Sequence, residues 1–473
     1  MNRFREKQSL MNARKYFTLL SLSLSLAWNS KGDSSDTASK LVQDDAVAGQ
    51  HQQIGVKSQE VPQPFRRNGH PDAQWFPRAG FGLFIHWGIS SVDGRIDLSW
   101  GMMTNTPWDK GAFKLTPNQY FALAERFQPD RYDPHKWLKA AKEAGFQYVV
   151  LTTRHHDGYA LWPSKVSDFS TATHMRGRDL VRDYVEACRD NGLKVGLYYS
   201  PPDWHYNREW MAFNWRENGE PYLGLDHQPM TEPKRSPEET KAWDRKYKDY
   251  IRSQVEELLT RYGRIDLLWF DGGPEAISIE RIRELQPGVV VNPRMHGHGD
   301  FTTAEVGFPK ERPQPWWEMC AIWNGAWGYL KQEQYGSTAW MLEQLSRVRS
   351  WGGNYLINIG PRPNGELPDV AYERFRELGA WMKTNGVAVL DVEGGPWPER
   401  CNVPVTTKGK HFYFLAPPHF NEPIVLKASP KPRKLTLMGS AEVIDAHYEN
   451  EVLTFQLKPT QQSGLVDVVD MEW

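Results

Sequence analysis

Short, continuously apolar segments recur along the chain between segments of helical periodicity, and this alternation constrains the fold most. The apolar segments begin at Phe81, Tyr148, Lys194, Ile265 and Tyr355. Val/Ile/Leu-rich runs of this kind are typical of strands buried on both faces, as in parallel sheets. Helical patterns lie between them, at about 118–127, 134–144, 180–191 and 241–262. Successive β/α units with this spacing predict a barrel.

Both ends of the chain differ from this pattern. Beyond about Leu390 the helical period ends, and short strand-like runs lie between Pro, Gly and Asn turns, which indicates a β-sandwich. Near the N-terminus, Arg14 and Lys15 precede an apolar stretch at 16–28, which is typical of a secretory signal. We therefore predict export of the protein, with a signal peptide at 1–30, a disordered spacer at 31–65, a barrel at 66–389 and a β-sandwich at 390–473.

Charge and cysteine content exclude several classes of function. The formal net charge is −1 and no long basic block occurs, so a nucleic acid partner is not expected. The three cysteines, Cys188, Cys320 and Cys401, are too widely spaced for a CxxC metal or redox motif. The apolar stretch at 16–28 is too short to span a bilayer comfortably, so no membrane span is predicted. Function must therefore lie in a local site, and the 13% of aromatic residues includes flat faces on which sugar rings can stack.

Asp271 ends one of the predicted strands and is followed by two glycines. In parallel β/α folds, the chemistry lies at the carboxyl ends of the strands. A buried carboxylate there needs a cation or hydrogen-bond donors as partners. The residues alone leave two interpretations open, which are a functional carboxylate and a cap of the next helix.

Imidazoles and one guanidinium follow other predicted strands. His86, His155 and His156 could donate hydrogen bonds to substrate hydroxyls, or each could be a satisfied structural histidine. A metal pair at His155 and His156 is disfavoured, because no HExxH motif accompanies them and adjacent strand residues point to opposite faces. Arg294 could hold a carboxylate or sugar hydroxyls, or lie on the surface.

Retaining glycoside hydrolysis requires two carboxyls about 5–5.5 Å apart, one as nucleophile and one as acid/base. Asp271 suits the nucleophile, because a short, buried and oriented carboxylate can attack in line. The second carboxylate is expected from a neighbouring loop. The residues do not choose among Asp300, Glu305, Glu311 and Glu318.

Six motifs, in order and spacing, resemble those of glycoside hydrolase family 29, the α-L-fucosidases. They lie between about Trp75 and Asn385 and read FIHWG from Phe84, RHHDGYALW from Arg154, GLYYS from Gly196, LWFDG from Leu268, DFTTAE from Asp300 and NYLINIGP from Asn354. The resemblance implies a distorted (β/α)8 TIM-like barrel with a C-terminal β-sandwich. It also implies a retaining exo-α-L-fucosidase that acts on fucosylated glycans or glycosides through a glycosyl-Asp intermediate, without metal or organic cofactor.

The resemblance also assigns roles to individual residues. Asp271 matches the nucleophile and Glu305 the acid/base, with Glu318 as the alternative acid/base. The residues expected to bind the sugar or orient the nucleophile are Phe84, His86, Trp100, His155, His156, Tyr198, Trp269, Arg294 and Trp327. Phe84, Trp269 and Trp327 form an aromatic wall, which gains from the methyl group of fucose.

Two positions depart from the family pattern. Ser99 precedes Trp100 where many members have Glu, and Asn292-Pro293-Arg294 replaces the more usual Asn-Asp-Arg. The first change is expected to remove a carboxylate from the rim, which keeps α-L-galactosides or a modified fucose open as substrates. A catalytically silent carbohydrate-binding barrel is a further alternative. Proline at 293 is compatible with a strand end, so Arg294 is expected to keep its place.

Overall fold

The computed structural model describes residues 47–58, 66–108, 111–216 and 219–473. The predicted signal peptide lies outside these residues, as does most of the predicted spacer. Within that spacer, however, residues 47–53 are helical and Ile54 is buried. Their polar composition predicted disorder, but tertiary contacts, described below, hold them against the rest of the chain.

Eight parallel strands form one curled sheet in the described part of the chain. They are β1 (Phe81–Ile85), β2 (Tyr148–Arg154), β3 (Lys194–Tyr199), β4 (Leu267–Phe270), β5 (Val290–Val291), β6 (Thr302–Glu305), β7 (Trp317–Ala321) and β8 (Asn354–Ile359). Their order is β5-β4-β3-β2-β1-β8-β7-β6. This is the strand order of a parallel barrel that is open on one side. The first strand, β1, pairs in parallel with both β2 and β8, and β5 and β6 form the two edges of the opening.

Helices connect the strands, as the periodicity predicted. The longer ones are Pro134–Glu143, Leu180–Asp190, Pro237–Arg261, Ile279–Leu285, Thr338–Ser350 and Asp369–Asn385. Five of these begin after an Asp or Ser whose side chain accepts from the third helical N–H, namely Asp133, Asp179, Ser236, Ser278 and Ser337. Shorter helices are Phe76–Ala79, Pro117–Phe121 and Thr171–His174, and 3-10 turns are Pro71–Ala73, Ile89–Val92, Leu98–Met102, Ala122–Arg126, Gly386–Ala388 and Pro459–Gln461.

The sequence predicted a loop as the source of the second carboxylate, but Glu305 lies in strand β6. Its four residues, Thr-Thr-Ala-Glu, are all half-buried and contain no apolar run. The strand exists because it pairs with β7, from Thr302 opposite Trp317 to Glu305 opposite Cys320. Glu305 therefore ends a strand of the sheet, where it is held more firmly than on a loop.

The C-terminal region contains two antiparallel sheets, as predicted. The six-stranded sheet has the order β14-β13-β17-β11-β10-β9 and the three-stranded sheet β12-β16-β15. The strands are β9 (Glu393–Gly394), β10 (Val405–Lys408), β11 (His411–Ala416), β12 (Ile424–Leu426), β13 (Lys434–Leu437), β14 (Glu442–Val443), β15 (Ala446–Glu449), β16 (Val452–Phe455) and β17 (Asp467–Glu472). The exact boundary between residues 389 and 390 stays a prediction. None of the described helices has the length and apolarity to cross a membrane.

The six-stranded sheet packs on both faces. Phe414 and Val469 lie in the core between the two C-terminal sheets, whereas Leu415 and Val468 join the core of the barrel. This alternation follows from the two-residue period of a strand. Trp381, on the last barrel helix, packs in the barrel core, and its indole N–H donates to the Val466 carbonyl oxygen at 2.7 Å. The barrel core therefore includes one face of the six-stranded sheet, and the other face packs in a separate core between the two C-terminal sheets.

Replacing Trp381 with Ala should destabilise both regions together. The loss of a buried indole at a shared core is expected to cost about 3–5 kcal/mol of unfolding free energy. Urea unfolding monitored by tryptophan fluorescence and far-UV circular dichroism should show one transition, shifted to lower urea. Val387→Ala, at an exposed position nearby, is the control and should change the midpoint little. Two separate transitions in the wild type would contradict a shared core.

Candidate active site

A cavity opens at the carboxyl ends of the barrel strands. The residues that line it include all the predicted site residues except Glu318: Phe84, His86, Trp100, His155, His156, Tyr198, Trp269, Asp271, Arg294, Glu305 and Trp327. Each comes from a strand, or from the segment that follows one, apart from Trp100 and Trp327. The parallel sheet brings them together because the carboxyl ends of its strands meet at one edge.

Arg294 bridges the two carboxylates of the cavity. Its Nη1 donates to Asp271 Oδ1 at 2.7 Å, and its Nη2 donates to Glu305 Oε2. The guanidinium also stacks on the indole of Trp269, 4.6 Å from the ring centroid. Its side chain is almost fully buried, so the two carboxylates compensate its charge in a site with little water. The prediction that Arg294 keeps its place after Pro293 agrees with this geometry.

Asp271 is fixed from three sides. Its backbone N–H donates to the Tyr199 carbonyl oxygen at 3.1 Å, which continues the β3–β4 pairing by one residue. The Tyr198 hydroxyl donates to Oδ2 at 2.7 Å, while Arg294 holds Oδ1. The carboxylate thus presents a defined face to the cavity and does not cap the following helix, which was the alternative interpretation.

Two histidines of the cavity, His86 and His156, are held in defined tautomers by buried partners. The side-chain N–H groups of Asn358 donate to the carbonyl oxygens of residues 326 and 327. Its side-chain oxygen therefore accepts from His86 Nδ1–H at 2.6 Å. Ser200 donates to the Pro202 carbonyl oxygen and therefore accepts from His156 Nδ1–H at 2.6 Å. In both rings Nε2 is then the acceptor.

His155 is held from behind by Ser99. Ser99 Oγ accepts from the Asp157 N–H at 2.9 Å and lies 2.6 Å from His155 Nδ1. This contact at Nδ1 leaves Nε2 of His155 for the cavity, where a hydroxyl can either donate to a ring nitrogen or accept from it.

Burial keeps these rings neutral. It lowers the pKa of His86 to about 4 and that of His156 to about 3. It also holds the pKa of His155 well below its usual value, with the neighbouring His156 and His86 acting in the same direction. Near neutral pH the three imidazoles therefore serve as hydrogen-bonding groups and carry no charge.

Two sequence expectations about this region were wrong. His155 and His156 do not point to opposite faces, because β2 ends at Arg154 and both rings line the cavity with centroids 4.1 Å apart. Ser99 does not lie at the rim, since it is fully buried behind His155. Ser99 therefore contacts His155 from behind and is not part of the cavity mouth.

An aromatic wall forms another side of the cavity. The ring centroid of Phe84 lies 5.2 Å from that of Trp269 and 6.2 Å from that of Trp327. Tyr198 stacks on Trp269 at 5.6 Å. His86 packs against this wall, 4.2 Å from Phe84 and 5.0 Å from Trp327 between ring centroids, so the cavity offers apolar surface beside hydrogen-bonding groups.

Glu318, the alternative acid/base, lies below the cavity. It is fully buried and accepts from the Tyr148 hydroxyl at 2.6 Å and the Trp269 indole N–H at 3.0 Å. Burial raises its pKa to about 7, a value that would suit an acid/base. The position of Glu318 disfavours this role, because a proton donor must reach the glycosidic oxygen and Glu318 does not line the cavity.

The two other candidate carboxylates serve elsewhere. Asp300 is buried and accepts from the backbone N–H groups of Asn68 and Val291 and from Arg283. Glu311 is exposed and is absent from the cavity lining. Of the four acidic residues considered from the sequence, Glu305 is the one that lines the cavity with Asp271.

Several residues of the site were not singled out by the sequence motifs. Gln50, His51 and Ile54 line the cavity from the predicted spacer, and Cys320 lines it from β7. His51 Nε2 lies 2.9 Å from Glu305 Oε2. Ser99, Ser200 and Asn358 act behind the histidines, where only the three-dimensional contacts reveal them.

One group of side chains has the donor types of a metal site. The possible ligand atoms of His155, His156 and Asp271 all lie within 4.8 Å of one another. The guanidinium of Arg294, bonded to the same Asp271, would repel a cation there. The contacts therefore fit a sugar better than a metal ion.

Comparison with known proteins identifies the family. Residues 49–387 match the family described as Alpha-L-fucosidase. The chain belongs to the α-L-fucosidase family. Tissue alpha-L-fucosidase of Rattus norvegicus is 30% identical over 410 residues, which cover 79% of this chain and 82% of the rat protein. The bovine tissue enzyme is 28% identical over 386 residues, covering 74% and 75% of the two chains.

Solved structures of α-L-fucosidases have the same fold. Isoenzyme 1 from Paenibacillus thiaminolyticus is 29% identical, with a TM-score of 0.69 over 85% of this chain and 98% of that one. A family 29 α-L-fucosidase from Bacteroides thetaiotaomicron, trapped as a covalent intermediate with 2-fluoro-fucosyl fluoride, is 23% identical, with a TM-score of 0.71 over 87% and 99%. With the cavity described above, these likenesses identify the chain as a glycoside hydrolase.

Turnover should not require a divalent cation. Because Arg294 already supplies the positive charge next to Asp271, purified protein assayed with an aryl α-L-fucoside should keep its full rate in excess EDTA. The same dialysed protein with added Zn²⁺ is the companion measurement. A rate that falls with EDTA and returns with metal would contradict this view of the site.

Proposed function

We propose that the protein is a retaining exo-α-L-fucosidase in which Asp271 is the nucleophile and Glu305 the acid/base. The observation that carries the proposal is the bridging of both carboxylates by Arg294 at the cavity surface. Retaining enzymes hold their two carboxyls about 5–5.5 Å apart, and a guanidinium shared by Asp271 and Glu305 keeps both carboxylates within reach of one bound sugar. The related enzyme trapped as a covalent intermediate supports the same route.

The proposed reaction has two displacements. An Asp271 oxygen attacks the anomeric carbon, the bond to the glycosidic oxygen breaks, and Glu305 gives its proton to that oxygen. A water molecule then transfers a proton to Glu305 while its oxygen displaces Asp271 from the anomeric carbon. The second displacement releases fucose and returns Asp271 as a carboxylate and Glu305 as an acid.

Glu305 must carry a proton when the leaving group departs. Burial raises its pKa, but the charge of Arg294 and the hydrogen bonds from His51 and Arg294 outweigh this and hold it well below the usual value. Both of these donors contact Oε2. We therefore place the catalytic proton on Oε1, and binding of the substrate must favour the protonated form.

The shape and chemistry of the cavity support a fucoside. Fucose carries a methyl group that fits the wall of Phe84, Trp269 and Trp327, and its hydroxyls match the neutral histidines. An apolar wall discriminates against one extra hydroxyl by only about 10- to 200-fold. We therefore expect hydrolysis of α-L-galactosides, the alternative substrates, to be slower than hydrolysis of α-L-fucosides. A silent binding barrel is disfavoured, because both carboxylates line the cavity.

We also propose that the protein is exported, as residues 14–28 predict. This stretch lies outside the described residues, so the proposal rests on its composition alone. N-terminal sequencing of protein recovered outside the cytoplasm should find a chain that starts near residue 30. A mature chain that keeps residues 14–28 would contradict export by this route.

Asp271→Gly should abolish turnover of 4-nitrophenyl α-L-fucoside, because the nucleophile is removed while Arg294 and Tyr198 remain. Azide should restore release of 4-nitrophenol by attacking the anomeric carbon directly, and the product should be β-fucosyl azide by NMR. The wild type, assayed in parallel, should hydrolyse the fucoside at least about tenfold faster than the α-L-galactoside. Unchanged turnover in the variant would refute the assignment of Asp271 as nucleophile, and an inactive wild type would refute the proposed fucosidase activity.

Glu305→Ala and Glu318→Gln should separate the two candidate acid/bases. Without Glu305, hydrolysis should fall about 10²- to 10⁴-fold for poor leaving groups. Azide should rescue 4-nitrophenyl α-L-fucoside turnover in that variant and give α-fucosyl azide, because it attacks the glycosyl-enzyme. Glu318→Gln should show no azide rescue and a lower melting temperature, since its bonds to Tyr148 and Trp269 are weakened. The reverse pattern would assign the acid/base to Glu318.

A further inference from the structure

The segment of residues 47–58 reaches the cavity although its composition predicts a spacer. Residues 47–53 form helical turns, and Gln50, His51 and Ile54 line the cavity. Ile54 is only 4% exposed, so the segment buries apolar surface at the site. It is therefore packed as part of the active-site wall.

Backbone hydrogen bonds attach this segment to the loops that carry the reactive groups. The Gly273 N–H donates to the Ile54 carbonyl oxygen at 3.0 Å, and the Lys57 N–H donates to the Arg294 carbonyl oxygen at 3.2 Å. Lys57 also pairs with Glu275 at 2.7 Å. The first hydrogen bond thus involves the residue two positions after Asp271, and the second involves the backbone of Arg294 itself.

The contact at Gly272 is too close for any side chain. A Cβ at this position would lie 2.2 Å from the Ile54 carbonyl oxygen, and the residue has a φ of 94°. Glycine directly after Asp271 thus permits both the turn and the approach of the N-terminal segment. The barrel loop and the segment are matched in shape at this point.

His51 contacts the same carboxylate oxygen of Glu305 that Arg294 holds. Oε2 of Glu305 accepts from Arg294, which is shared with Asp271, and lies 2.9 Å from His51 Nε2. The His51 side chain is 28% exposed and that of Glu305 is 8% exposed, so His51 is the more solvent-exposed partner of the acid. In a retaining enzyme the acid/base protonates the leaving group, so a residue that holds Glu305 acts on that step.

We propose that His51 is a positioning residue for Glu305, and that residues 47–58 form the leaving-group wall of the cavity. With Oε2 fixed by His51 and Arg294, Oε1 is aimed at the glycosidic oxygen. The inference rests on the proposed function, since it assumes that Glu305 is the acid/base. It adds a residue from outside the barrel to the machinery that protonates the leaving group.

A positioning role has a signature that a structural role lacks. Phenolate is a poor leaving group that needs the proton from Glu305, whereas 4-nitrophenolate departs with little help. Loss of His51 should therefore slow cleavage of phenyl α-L-fucoside more than cleavage of 4-nitrophenyl α-L-fucoside. Simple loosening of the segment would slow both substrates equally.

The experiment compares kcat/KM on both substrates for the wild type, His51→Ala, His51→Gln and Gln52→Ala. Glutamine can place its amide nitrogen near the position of the imidazole Nε2 and so keep a donor for Oε2. Gln52 is exposed on the same helix and serves as the matched control. Melting temperatures of all four proteins show whether each variant is folded.

In His51→Ala, we expect kcat/KM to fall about tenfold or more on the phenyl substrate and less than about threefold on the 4-nitrophenyl substrate. His51→Gln should recover most of the loss, and Gln52→Ala should match the wild type. Equal losses on both substrates, or no loss, would overturn the positioning role. If His51→Ala is unfolded, a selective loss in His51→Gln supports the role and equal losses overturn it. A wild type inactive on both substrates would overturn the proposed function and, with it, this inference.

Discussion

The ion pairs of Arg294 hold together the part of the barrel that the backbone leaves open. β5 and β6 are the two edges of the sheet, and Arg294 follows β5 while Glu305 ends β6. By bonding Glu305 across this gap and Asp271 after β4, Arg294 ties three strand ends to one group. A buried guanidinium costs several kcal/mol to desolvate unless it is paired, so these three residues stabilise one another.

Asp300 makes a second bridge across the same gap. Its backbone N–H donates to the Val291 carbonyl oxygen, and its carboxylate accepts from the Val291 N–H and from Arg283. These contacts replace the ladder that a closed barrel would have between the two edge strands. The irregular segment from 292 to 301 can therefore present Arg294 to the cavity without losing its connection to the sheet.

Polar side chains behind the cavity determine what its histidines can bind. Neutral imidazole has one donor and one acceptor, and the group on Nδ1 decides which of them Nε2 becomes. Ser200 and Asn358 make acceptors of His156 and His86, while Ser99 contacts Nδ1 of His155 at 2.6 Å. Glu318 accepts a hydrogen bond from the indole N–H of Trp269 behind the cavity.

The sequence by itself determined the alternation of buried strands and helices, the β-sandwich, and the strand ends that carry Asp271, His155 and Arg294. These features are local, because periodicity and capping residues act within a few positions along the chain. Tertiary structure alone decided the strand at Glu305, the place of Glu318 under the cavity, and the packing of His51 into it. Such contacts join residues as many as 254 positions apart, and a polar segment shows no sign in its composition of the surface that will bury it.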